Sequence, residues 1–195
     1  TLSRRAFLRA SLQNIGAAGT ASALLPAFAR RAFALDAPTP APDPAHDPLR
    51  PEYHLMPPHN WMNDPNGPIF WRGKYHLFYQ LNPNGAAWGD MHWGHAISDD
   101  MIHWRHEPIA LAPTPGLADS AGCFSGSAID DHGVPNFIYT GVQKASPSQV
   151  TLHDANNNLR ESQMLAAAED EELLHWKKDP TPVIAAPPHG MDVTG

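Results

Sequence analysis

The sequence predicts an all-β fold assembled from repeated units of about four strands, and three observations carry that prediction. Beyond Pro51 there is little helical periodicity; short apolar and aromatic runs alternate with turn residues, which is the pattern of strands. Two hairpin patterns recur, Pro68–Gln80 around Arg72-Gly73 and Ser127–Tyr139 around His132-Gly133, with Gly73 and Gly133 60 residues apart, as are Tyr79 and Tyr139. The run Ala96–Trp104, followed by Pro108, recurs as Ala168–Trp176, followed by Pro180, so that His103-Trp104 and His175-Trp176 lie 72 residues apart. Units of 60–72 residues with these strands read as propeller blades, a β-sandwich with accidental internal similarity being the competing architecture. Residues 52–195 number 144, room for about two such units, whereas propellers close with at least about four. Two blades leave open sheet edges and an unfinished core. The ending Met191-Asp192-Val193-Thr194-Gly195 has no terminal-cap look, and the chain is read as a truncated front portion.

Taken in order, the first element is a leader, residues 1–34. It carries five of the 13 basic residues (Arg4, Arg5, Arg9, Arg30, Arg31) and no acidic one. Ser3-Arg4-Arg5-Ala6-Phe7-Leu8-Arg9 precedes a weakly apolar Ala/Gly/Leu stretch from Ile15 to Ala29, too short to span a bilayer. An ordinary amphipathic helix is the plainer alternative. The arginine pair followed by Phe-Leu resembles a twin-arginine export signal, which implies the export machinery as a partner, cleavage after Ala34 or Ala29, and a periplasmic or extracellular destination. No stable membrane anchor is expected. Residues 35–51 contain six prolines spaced two to four positions apart and are expected to form an extended spacer. Residues 52–195 are the β domain, with hairpins about Arg72-Gly73 and His132-Gly133, a strand, an acidic turn and a His-Trp strand in each repeat, and an exposed Ser- and Asn-rich loop over Ala145–Arg160.

Composition narrows the function. The chain has a net charge of −7, and residues 35–195 carry 8 basic and 20 acidic side chains, which argues against a nucleic-acid partner. The lone Cys123 rules out an intramolecular disulfide and any Cys-rich zinc module. The 12 histidines include the pairs His92-x-x-His95 and His103-x-x-His106, but an i,i+3 pair on a strand points to opposite faces, so no metal or other cofactor is expected. Five of the six tryptophans lie between Trp61 and Trp104, which marks an aromatic-rich domain after the leader and the linker.

The densest motif is Trp61-Met62-Asn63-Asp64-Pro65-Asn66-Gly67. Pro65 pushes Asp64 toward extended backbone, and Asn66-Gly67 favours positive φ. The expectation is a carboxylate displayed at a strand end beside a tight turn; a solvated hairpin aspartate is the bland alternative. The whole run His59–Pro68 closely resembles the opening signature of glycoside hydrolase family 32, the invertases, levanases and inulinases. The resemblance continues in family order through Phe78-Tyr79-Gln80 with Asn82-Pro83, Trp88-Gly89 with His92-Trp93-Gly94-His95-Ala96, Ser98 with Asp100 and His103-Trp104, Phe124-Ser125-Gly126-Ser127, and Tyr139-Thr140-Gly141.

That resemblance implies a five-bladed propeller followed by a β-sandwich absent from this chain, and cleavage of β-fructofuranosyl linkages in sucrose, inulin or levan with retention. It makes Asp64 the nucleophile and Asn63, Gln80, Trp88, Phe124 and Ser125 substrate-binding residues. A retaining mechanism requires a second carboxyl group at about 5–5.5 Å. The family's Arg-Asp-Pro and Glu-Cys motifs, which carry the transition-state stabiliser and the acid/base, do not occur within these 195 residues. Asp179-Pro180 follows Lys178 rather than Arg, and Glu107 and Glu161 lack the motif context. The chain alone is therefore expected to be inactive. A non-catalytic carbohydrate-binding propeller and a fructosyltransferase remain the alternative readings.

Overall fold

The computed structural model describes residues 46–51, 53–153 and 158–187. The expected signal peptide, residues 1–34, and residues 35–45 of the expected spacer lie outside them. Residues 46–51 do not continue an extended spacer. Pro48 sits at the second position of a turn in which the Asp47 carbonyl accepts the Arg50 N–H (3.0 Å) and Asp47 Oδ1 accepts the Leu49 N–H (2.9 Å).

Among the described residues there are nine strands and no α-helix: β1 (Trp61–Trp71), β2 (Lys74–Asn82), β3 (His92–Ser98), β4 (Arg105–Leu111), β5 (Gly122–Asp131), β6 (Val134–Lys144), β7 (Leu152–His153), β8 (Asn158–Ala168) and β9 (Trp176–Lys178). They form two antiparallel sheets. The first has the order β1-β2-β3-β4; the second has β5-β6-β8, with β7 and β9 both on the outer side of β8. Both expected hairpins are present. Arg72-Gly73 (φ 48° and 79°) joins β1 to β2, and His132-Gly133 (φ 54° and 87°) joins β5 to β6. Two central residues with positive φ match the twist of the flanking strands, which is why glycine recurs there.

Three local expectations are corrected. First, β1 does not end at Asn66-Gly67. It runs on to Trp71, and Gly67 takes its positive φ (47°) inside the strand, where Gly67-Pro68 opposes Leu77 alone. The motif is a bulge, not a chain reversal. Pro65 and Pro68 are tolerated because β1 is an edge strand. Second, His103-Trp104 and His175 precede their strands. Asp100 Oδ1 accepts the amides of Ile102 (2.9 Å) and His103 (2.8 Å), and Asp170 accepts those of Leu174 (2.9 Å) and His175 (2.7 Å), which holds both segments as capped loops. Met101 (φ 63°) and Leu173 (φ 58°), 72 residues apart, turn the chain at equivalent places. Third, the Ala145–Arg160 loop is shorter than expected, since Leu159 is buried opposite Lys144 and β8 begins at Asn158.

The main core lies between the sheets, where Phe78 and Trp93 of the first meet Phe137, Tyr139 and Met164 of the second. Phe137 stacks on Trp176 at 3.5 Å, and Phe78 meets both rings edge-on. The opposite face of the first sheet packs Tyr79, Leu81 and Ala96 under Leu55, Met62 and Trp104. A buried histidine pair sits in the first sheet, His76 Nδ1 at 3.0 Å from His95 Nε2, with Phe78 stacked on His95. Burial lowers the pKa of both rings, that of His95 to about 3.

Candidate active site

The site lies where β1 and β5 run beside each other. Met62 pairs with Leu81 and Pro65 with Tyr79, so Asn63-Asp64 bulges opposite Gln80 alone. On the second sheet Cys123 pairs with Gly141 and Gly126 with Tyr139, so Phe124-Ser125 bulges opposite Thr140 alone. The two bulges are 61 residues apart, and Gln80 and Thr140 are 60 apart. The site is thus built at the same place in both repeats. A bulge turns side chains out of strict alternation, and here it lifts both dipeptides toward the shared rim.

Six residues selected from sequence line one cleft: Asn63, Asp64, Gln80, Trp88, Phe124 and Ser125, joined by Met91. Ser125 Oγ donates to Asp64 Oδ2 at 2.7 Å, and Gln80 Nε2 donates to the same Ser125 oxygen at 3.5 Å. Asp64 is exposed and Gln80 is buried. Gln80 Oε1 has no hydrogen-bond partner, leaving a buried acceptor on a residue that lines the cleft. Trp88 is half exposed and meets Phe124 edge-on at 6.0 Å. The cleft measures about 70 Å³, against about 300–1,000 Å³ for a typical ligand pocket. The described residues therefore form one wall. Asp64 is the only carboxylate among the lining residues; Glu107, Glu161 and Asp179 line no part of it.

Behind the β5 bulge stands a buried ionic cluster. Asp119 is fully buried, and Lys178 of β9 pairs with its Oδ2. The same oxygen accepts from Tyr139 Oη (2.8 Å) and Cys123 Sγ (3.5 Å), and Oδ1 accepts the Thr114 N–H (3.2 Å). Burial, with Asp119 beside them, raises the pKa of both the Tyr139 phenol and the Cys123 thiol, so both serve as donors. Cys123 and Tyr139 flank the Phe124-Ser125 bulge, so the cluster braces it from within. Sequence reading missed Asp119, Lys178 and Met91, because none sits in a motif and only the tertiary contacts reveal them.

Two blade-like antiparallel sheets that meet at one rim define the β-propeller class, and this rim presents a carboxylate, an amide, a hydroxyl and an indole. Comparison with known proteins resolves the class. Residues 54–194 match the glycosyl hydrolases family 32 N-terminal domain, and the chain belongs to that family. It is 52% identical over 143 residues to a sucrose-6-phosphate hydrolase of Escherichia coli (72% of this chain, 28% of that protein) and 47% identical over 143 residues to a raffinose invertase of the same species (72% and 28%). Among solved structures it resembles fructan 1-exohydrolase IIa from Cichorium intybus, with a TM-score of 0.61, 41% identity and coverage of 75% of this chain and 26% of that one. The chain thus spans a little over a quarter of the length of these proteins. Its two sheets are part of the family's five-bladed propeller, as the repeats and the motif order lead one to expect.

Proposed function

We propose that the protein is a retaining β-fructofuranosidase acting on sucrose or a fructan, with Asp64 as nucleophile. The observation that carries this reading is the Ser125–Asp64 hydrogen bond of 2.7 Å at the rim shared by the two bulged strands. A carboxylate that accepts a short hydrogen bond from a neighbouring hydroxyl is aimed by it, as an attacking group must be. Asp64 attacks the anomeric carbon, the leaving sugar departs with a proton from the acid/base, and water then releases the fructosyl ester with retention. Asn63 and Gln80, whose amides line the cleft, bind sugar hydroxyls. Trp88 and Phe124 form the apolar wall for the C–H face. The names of the relatives, which include sucrose-6-phosphate hydrolase, invertase and fructan exohydrolase, support the fructoside class.

The acid/base and the transition-state stabiliser come from segments that follow the Tyr139-Thr140-Gly141 motif in the family, so residues 35–195 by themselves release no fructose. The test is fructose release from sucrose, sucrose 6-phosphate, inulin and levan by the protein of the complete reading frame. Hydrolysis that Asp64→Asn lowers by at least about 10⁴-fold is the expected result. Sugar binding with no hydrolysis would favour the carbohydrate-binding alternative, and fructosyl transfer in preference to release would favour the transferase.

The leader reading belongs to the same proposal. The protein is exported by the twin-arginine route with residues 1–34 removed, which leaves residues 35–51 ahead of the β domain at 52–195. Replacing Arg4 and Arg5 together by Lys is expected to retain the protein inside the cell. Export of that variant at the normal level would overturn the route.

A further inference from the structure

Trp93 links the two bulges. It lies on β3 directly opposite Gln80, in the same transverse row as the Asn63-Asp64 bulge. Its ring is fully buried between the sheets. Toward β1, a Cβ added to Gly67 would lie 3.3 Å from Trp93 Cζ3, so the backbone three residues after Asp64 rests on the indole. Toward β5, Trp93 Nε1 donates to the Phe124 carbonyl at 3.0 Å, inside the other bulge. Phe124 and Ser125 lie outside the regular pairing at this point, and the indole N–H reaches the Phe124 carbonyl from outside the ladder. Two further bonds from the first sheet's side act on the same segment: the Met91 carbonyl accepts the Cys123 N–H (2.8 Å), and Asn66 Oδ1 accepts the Gly126 N–H (3.4 Å). The row thus holds the β5 bulge from both flanks and at its centre.

From this geometry we infer that Trp93 is a positioning residue for the Asp64 carboxylate, acting through the Phe124-Ser125 bulge to keep the Ser125 hydroxyl on Asp64. It touches no substrate, and its role rests on the reading of Asp64 as nucleophile. Its ring volume belongs to the core; its N–H belongs to the site. These two contributions are separable.

The test compares Trp93→Phe with Trp176→Phe in the protein of the complete reading frame. Trp176 is the control because it packs against the same core cluster and its Nε1 also donates to a backbone carbonyl at 3.0 Å, that of Leu173, remote from the bulges. Trp93→Phe is expected to lower kcat about ten- to a hundredfold with little change in KM, since a small misplacement of a reacting group carries penalties of that order. Trp176→Phe should leave kcat within about twofold. In a Ser125→Ala background Trp93→Phe should lower kcat little further, because both changes remove the same restraint. Amide hydrogen exchange over residues 122–127 should accelerate in Trp93→Phe and not in Trp176→Phe. Should the phenylalanine variant fail to fold, benzothienylalanine at position 93 removes the N–H while keeping the bicyclic ring. Unchanged kcat and unchanged exchange over 122–127, full additivity with Ser125→Ala, or an equal loss in Trp176→Phe would each overturn the inference. A parent protein that releases no fructose would instead sink the fructosidase reading, and the exchange measurement alone would then decide whether Trp93 anchors the bulge.

Discussion

At the residue scale, the site depends on hydrogen bonds made across the two sheets. Ser125→Ala removes the donor to Asp64 from an exposed rim. It should leave the unfolding midpoint almost unchanged while lowering kcat about tenfold or more, the worth of one hydrogen bond to a charged group. The Asp119–Lys178 pair behaves differently, because Asp119 has no access to water and the Lys178 side chain retains only 12% of its exposure. Lys178→Met strands a buried carboxylate and should lower stability by about 3–5 kcal/mol, whereas replacing both partners by apolar residues should recover much of it. Chemical denaturation of the single and double variants distinguishes a buried pair from a surface one. These bonds could not be read from sequence. Asp64 and Ser125 are legible as motif members, but their contact depends on the register of two strands 61 residues apart.

At the element scale, the hairpins were legible and the bulges were not. Arg72-Gly73 and His132-Gly133 have local reasons to reverse the chain, namely glycine at positive φ between alternating strands. Asn66-Gly67 has the same local preference, yet β1 continues through it, because pairing with β2 on both sides of the bulge outweighs the turn propensity. A substitution series separates the two uses of glycine. Gly133 meets nothing within 4 Å, so Gly133→Ala should lose only the backbone preference, about 1 kcal/mol. A Cβ on Gly126 would lie 2.2 Å from the Ile138 carbonyl oxygen, so Gly126→Ala forces β5 away from β6 beside the bulge. It should lower stability by more than about 3 kcal/mol and reduce activity as well. Equal thermal shifts for the two variants would show that the close β5–β6 approach carries no weight.

At the scale of the whole molecule, the buried histidine pair makes stability depend on pH. Both rings are neutral in the folded chain, with pKa below the usual 6.5 and that of His95 near 3. Glu107 and Asp170 oppose this but do not outweigh burial, and for His95 the neighbouring His76 adds to it. Below pH 6.5 the unfolded chain binds protons that the folded chain refuses. Stability is therefore complete above that value and declines as pH falls toward 3, by up to about 1.4 kcal/mol per pH unit for each ring still neutral. Urea midpoints measured from pH 8 to pH 4 should drop accordingly, and His95→Gln should flatten the slope. A slope unaffected by that substitution would assign the acid sensitivity to other groups.

Local pattern was enough for the all-β class, the two repeats, the hairpins and six of the seven residues that line the cleft, because alternation, glycine turns and motif order are written in short windows of residues. The tertiary structure alone decided that Asn63-Asp64 and Phe124-Ser125 are bulges, that Asn66 is buried in a strand, and that Asp119, Lys178 and Trp93 stand behind the rim. Each of these depends on which residue a neighbouring strand places opposite. That register is set by burial of the inter-sheet core, which sums contacts across the whole domain and is invisible to any local pattern.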